Sequence, residues 1–207
     1  MTNNPMVKFS DIIEQDKQNF FNVKTIYKSN TLEELQEICR ADSYDYAVCI
    51  LNLTGDLNIG TMMRTSSIMG ARKFIIFGRK KYDARSTVGA QNYIEVVRVD
   101  GLNNDLTINV PKFWQTMRDL NLAPFFVETH GETLGSFSWK ETIGRINNMT
   151  PCFVFGNETY GIPQELHGAG PSIRIPQRGV LRSLNVSSAC AIVLWDFVQN
   201  YYRRPND

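Results

Sequence analysis

The chain has 207 residues, 43% of them apolar and 21% charged, with a formal net charge of +1. That length fits one domain, with or without an extension, and the composition excludes disordered, collagen-like and disulfide-rich classes. The near-zero net charge points to no partner, but charge is clustered: Arg79, Lys80, Lys81 and Arg85 sit together, Arg178 and Arg182 flank Gly179, and Arg203 adjoins Arg204. Such groups suit RNA phosphates and equally suit an ordinary solvated surface.

No apolar run approaches the roughly 20 residues that cross a bilayer, and no signal-peptide pattern is seen. A soluble, cytoplasmic protein with no membrane partner is expected. Of the cysteines, Cys39, Cys49, Cys152 and Cys190, none forms a C-x-x-C pair, which argues against a zinc site. Cys49 and Cys152 lie in apolar runs and read as small buried hydrophobes of a reducing compartment. His130 and His167 have no ligand-like neighbours in the sequence, so both read as structural or exposed, and no metal is expected.

Residues 1–30 are polar with a few aromatics and read as an extension, partly helical from about Ser10; residues 31–207 form the main domain. Thr31 and Glu34 match a capping box, with Leu32, Leu35 and Ile38 at helical spacing behind them. Residues 46–53 are a continuous apolar run of strand length, the pattern of a strand buried on both faces. Residues 73–78, 94–99, 124–128 and 152–155 repeat it, and 172–175 is a shorter version. Between the strands, Asn58 is placed to cap a helix ending at Gly70, a C′ residue. Pro111 suits the first position of another helix. A last apolar helix is expected from about Ser187 to Tyr202, capped by Ser187 or Ser188. Strand and helix in alternation predict an α/β fold with a mostly parallel sheet flanked by helices.

Three stretches exceed the needs of a plain core. In the first, Asn58, Gly60 and Arg64 open a helix after a strand. Gly60 permits a close approach. Arg64 lies about 1.7 turns after Asn58, so the two side chains point in substantially different directions. In the second, an apolar strand runs into Gly156, Glu158 and Gly161, at the strand end where open α/β sheets bind ligands. It is neither a P-loop nor a dinucleotide fingerprint. In the third, Ile175 and Pro176 lead through a Gly179 loop to Ser183, Leu184, Asn185, Val186 and Ser187 at the start of the last helix. Backbone groups there could meet a purine edge, and the helix terminus favours anions.

These residues resemble the SpoU (TrmH-like) branch of the SPOUT methyltransferases. Asn58, Gly60 and Arg64 match the family's Asn-x-Gly-x-x-x-Arg pattern. Gly156, Glu158 and Gly161 match its Gly-x-Glu-x-x-Gly, and Ile175, Pro176 and Ser183 through Ser187 match its Ile-Pro, loop and Ser-Leu-Asn-Val-Ser. Ser86, Gly89 and Ala90 fit a lesser Ser-x-x-Gly-Ala feature; Thr159 and Tyr160 depart from the usual small or acidic residues. The likeness spans roughly residues 46 to 200. It implies a C-terminal trefoil knot, a homodimer with the site near its interface, and transfer of a methyl group from S-adenosylmethionine to a ribose 2′-hydroxyl of RNA, tRNA rather than rRNA. It implies that Gly156, Ile175, Leu184, Val186 and Ser187 hold the cofactor. Arg64, Asn58, Glu158, Ser183 and Asn185 would serve the reaction, with no metal. The alternative is a catalytically inactive RNA-binding relative with the same fold.

Overall fold

The computed structural model describes residues 23–52, 57–79, 81–157 and 160–202, and its sheet centres on β1, Tyr44–Asn52. Seven strands follow the order β3-β2-β1-β6-β4-β7-β5, all paired in parallel. They are β1, β2 (Ala71–Gly78), β3 (Glu95–Asp100), β4 (Leu122–Glu128), the short β5 (Glu132–Thr133), β6 (Thr150–Phe155) and β7 (Ser172–Arg174). The apolar runs become these strands within two residues of their expected ends; β5 is too short to leave a sequence signal.

Side-chain alternation along β1 splits the core in two. Tyr46, Val48 and Ile50 pack toward one face with Ile59, Met62 and Met63 of α2 (Asn58–Ile68) and Cys190, Val193, Leu194 and Phe197 of α5 (Val186–Phe197). Ala47, Cys49 and Leu51 pack toward the other, with Phe113 and Met117 of α3 (Val110–Asp119). Both faces of β1 are therefore dry, which is why its sequence is a continuous apolar run. Cys49 and Cys152 are fully buried, as expected, and burial pushes both thiols up.

The helix starts show what sequence spacing leaves open. α1 (Leu32–Asp42) has the expected capping box: Glu34 N–H donates to Thr31 Oγ1 at 3.2 Å and Thr31 N–H to Glu34 Oε2 at 2.9 Å. α3 begins one residue early, so Pro111 is its second residue and Asn109 caps it by accepting from Lys112 N–H at 2.9 Å. Asn58 does not hold the cap position of α2; it is the first helical residue, and Leu57 precedes it as the N-cap. Gly70 takes the expected left-handed conformation after α2, at φ 78°. The last helix is capped by Asn185, not Ser187 or Ser188, and relaxes into a π-turn at Val198–Tyr202. The short α4 (Trp139–Gly144) went unread in the sequence; its Trp139 Nε1 donates to Asp196 Oδ2 at 2.8 Å and ties it to α5. The helix expected from Ser10 lies outside the described residues, as do Lys80, Arg203 and Arg204. No described helix is long and apolar enough to cross a membrane.

Candidate active site

The carboxyl ends of β4, β6 and β7 converge on one cavity of about 620 Å³. That is within the roughly 300–1,000 Å³ of small-molecule sites, and a strand-end crevice is where open α/β sheets place them. Val127 and Phe155 supply apolar wall from the strand ends, Gly156 and Ile162 come from the turn after β6, and Ile175 and Leu184 come from the segment before α5.

Gly156 is there for a backbone reason. A Cβ at this position would lie 2.3 Å from the Gly161 carbonyl carbon and 2.6 Å from Ile162 N. Only glycine lets the turn fold back this closely. The turn is then latched by two backbone hydrogen bonds, Asn157 N–H to Gly161 O at 3.1 Å and Gly161 N–H to Asn157 O at 2.7 Å. Gly60 answers a similar demand on α2, where a Cβ would meet Ser86 Oγ at 2.2 Å and Thr87 N at 2.8 Å. Ser86 Oγ donates to Leu57 O at 2.6 Å and pins the entry to α2.

The first and third stretches meet through two asparagines. Asn185 Nδ2 donates to Asn58 Oδ1 at 3.1 Å, so the N-terminal ends of α2 and α5 lie side by side. Asn185 Oδ1 accepts from Ser187 N–H at 2.9 Å, Ser187 Oγ at 2.6 Å and Ser188 N–H at 3.4 Å. One carboxamide thus caps α5 and holds Asn58.

Among the sequence-derived candidates, Gly156, Ile175, Ser183, Leu184, Asn185 and Val186 all line the cavity. Ser187 does not; its polar groups go to Asn185. Asn58 does not line the cavity and is linked to it by Asn185. Arg64 is exposed on α2 and does not line the cavity. Glu158 and Thr159 lie outside the described residues. Tyr160 is 74% exposed and forms part of the cavity rim.

The histidines are both exposed, as the sequence reading allowed, but they are not isolated. His130 and His167 do have ligand-like neighbours: both flank Glu128 on the cavity wall. His167 Nε2 lies 3.1 Å from Glu128 Oε1, and His130 Nδ1 lies 4.0 Å from Glu128 Oε2. Burial pushes the Glu128 carboxyl above its ordinary range, and the two imidazoles act against that shift. Glu128 and His130 are two residues apart, but His167 comes from a distant segment, so no local spacing announced the cluster.

A parallel sheet with a strand-end cavity, closed by a glycine turn and a Ser-Leu-Asn-Val-Ser segment, defines an α/β enzyme of the SPOUT type. The chain belongs to the SpoU rRNA Methylase family, which matches residues 45–195. It is 25% identical over 184 residues to a Borreliella burgdorferi protein described as an uncharacterized tRNA/rRNA methyltransferase, covering 84% of this chain and 72% of that one. Its fold is similar to the SpoU methyltransferase AviRb of Streptomyces viridochromogenes in complex with AdoMet, at TM-score 0.59 and 21% identity over 76% of this chain. It is also similar to an RNA 2′-O ribose methyltransferase, at TM-score 0.60 and 19% identity over 78% of this chain. The chain spans less than two thirds of these two solved proteins, 61% and 58% respectively. The cofactor expected from the sequence is the one bound in the AviRb structure.

Proposed function

We propose that this RNA methyltransferase moves a methyl group from S-adenosylmethionine to a ribose 2′-hydroxyl, on tRNA in preference to rRNA, as a homodimer. The observation that carries the reading is the convergence of Gly156, Ile175 and Leu184 on one cavity of adenosine-accommodating size. The residues fit the cofactor. Backbone at Gly156, Ile175 and Leu184 offers N–H and C=O groups to an adenine edge, while Val127, Phe155 and Ile162 offer apolar surface. When bound, the sulfonium supplies an electrophilic methyl group. The trefoil knot, with the 176–185 segment threaded against the turn after β6, belongs to the same proposal.

The remaining problem is the nucleophile. A ribose hydroxyl attacks only when its proton is lost or its developing charge is stabilised. Arginine stays protonated and makes a poor base, so Arg64 serves by stabilising the developing alkoxide. Its exposure suits that task in a dimer. Arg64 and Ile68 lie four residues apart on one face of α2, and Ile68 is 70% exposed. On the neighbouring α5, Ser188, Ile192 and Trp195 also share an outer face, with Trp195 57% exposed. A second copy covering these side chains would carry Arg64 toward a cavity that its own chain does not let it line. Asn58, held by Asn185, orients Arg64 or the ribose, Ser183 and Asn185 position the substrate, and Glu158 is assigned to organising the loop. Arg178 and Arg182 are exposed, and Arg182 lines the cavity, where each could meet RNA phosphate.

The test separates binding from chemistry. Arg64→Ala and Arg64→Lys should both bind S-adenosylmethionine with wild-type affinity by calorimetry, while labelled-methyl incorporation into RNA falls by about 10²-fold or more, the usual scale for losing one charge-stabilising donor. Near-normal turnover in both removes Arg64 from the chemistry. Mass-spectrometric mapping of 2′-O-methylated nucleotides in cells with and without the gene should show a lost tRNA position. Absence of cofactor binding in the wild type would favour the inactive RNA-binding relative.

A further inference from the structure

The cavity wall contains a side-chain set that methyl transfer does not use. Glu128 closes β4, His130 follows two residues later, and His167 arrives after the short turn Gln164–Leu166. One ligating atom from each lies within 4.8 Å of the others. The Glu128 side chain is only 11% exposed, the two imidazole centroids are 5.0 Å apart, and all three residues face the cavity.

We propose that Glu128, His130 and His167 bind a divalent transition-metal ion of the zinc class, with its open coordination position toward the cavity. Two imidazoles and one carboxylate suit zinc, cobalt and nickel, whereas calcium and magnesium favour oxygen-rich sites. Ligand bonds of about 2.0–2.2 Å in a tetrahedral site place donor atoms roughly 3.4 Å apart. The observed separations are 3.1 Å from Glu128 Oε1 to His167 Nε2 and 4.0 Å from Glu128 Oε2 to His130 Nδ1, with one donor per residue inside 4.8 Å of the others, so binding would draw the three donors together. Three protein ligands leave a fourth position, as in sites that exchange a water or a ligand.

The competing arrangement needs no ion. His167 Nε2 also lies 3.2 Å from Ile162 O, so as an N–H donor it could simply tie Glu128 to the turn after β6. Coordination through that nitrogen would instead require the ring proton to sit on Nδ1 and would give up the contact to Ile162 O.

The two arrangements separate in a titration of the full chain with zinc, and with cobalt as a spectroscopic substitute. One ion per chain should bind with an affinity on the order of 10 μM or tighter at neutral pH. Glu128→Gln, His130→Ala and His167→Ala should each weaken it at least about tenfold. His130 is 54% exposed, so His130→Ala is the variant that keeps the fold, checked by an unchanged melting temperature. No saturable binding up to about 100 μM, unchanged affinity in His130→Ala, or a cobalt–thiolate band placing the ion on a cysteine would each overturn the proposal. S-adenosylmethionine binding, measured on the same samples without metal, reports separately on the methyl-transfer reading.

Discussion

On one side of the cavity, Asn157 and Gly161 exchange two backbone hydrogen bonds, and Phe155 and Ile162 beside them are buried. On the other side, residues 176–185 are all exposed, with Val180 103% and Leu181 81% accessible. In the first wall the backbone groups of Asn157 and Gly161 and the apolar side chains of Phe155 and Ile162 are satisfied within the chain. Among the described residues, the second is anchored at its ends, by β7 and by the Asn185 cap of α5. Such a division assigns shape to the turn after β6 and adaptability to the segment before α5. Val180, Leu181 and Leu184 are the exposed apolar side chains of that segment.

The sharpest break of this contrast is Gly156→Ala. The added methyl would sit 2.3 Å from Gly161 backbone, where no side chain can yield. The turn must open, at a cost of about 1–3 kcal/mol by the usual scale of overpacking, measurable by urea denaturation. Cofactor affinity by calorimetry should fall at least about tenfold, equivalent to 1.4 kcal/mol. Wild-type stability together with wild-type affinity would show that the wall is not set by this close approach. A smaller effect is expected at the junction of the two walls. Asn185→Ala removes the cap of α5 and the link to Asn58 together. Losing such a cap costs about 1 kcal/mol, read as a lower unfolding midpoint. Asn185→Asp keeps the capping oxygen but loses the Nδ2 donor to Asn58, so it should recover stability and not methyl transfer.

This division also explains what the sequence disclosed. Strands were legible because burial on both faces leaves an apolar run with no competing pattern, as along β1. The glycine of the turn was legible as a motif, but its physical reason, the approach of Gly161 from five residues on, appears only in three dimensions. Capping was read correctly where it is local, at Thr31 and Glu34. It was misread at α2, where Asn58 accepts from Asn185 across 127 positions of chain, and at α5, where Asn185 and not a serine supplies the capping oxygen. Arg64 was named by resemblance and stands apart from the cavity, and the role proposed for it across an interface is one that no single-chain spacing rule reveals. Glu128, His130 and His167 were missed for the same reason: β4 and the segment after β6 bring together residues that have no shared period.

The smallest expected effect is the most informative about the flexible wall. Gly179 lies in the middle of residues 176–185, and a Cβ there meets nothing within 4 Å. No strained conformation requires glycine, because its φ is outside the left-handed range. Gly179→Ala should therefore leave the folded chain unchanged and slightly restrict the unfolded one, a gain of about 0.4–1 kcal/mol at most. Cofactor affinity should likewise hold within about twofold. RNA turnover is the discriminating readout. If substrate binding needs residues 176–185 to change shape, the stiffer backbone lowers methyl incorporation while stability and cofactor affinity stay level. If turnover also stays level, the segment acts as a preformed rim, and the adaptability ascribed to it belongs instead to the side chains of Val180, Leu181 and Arg182.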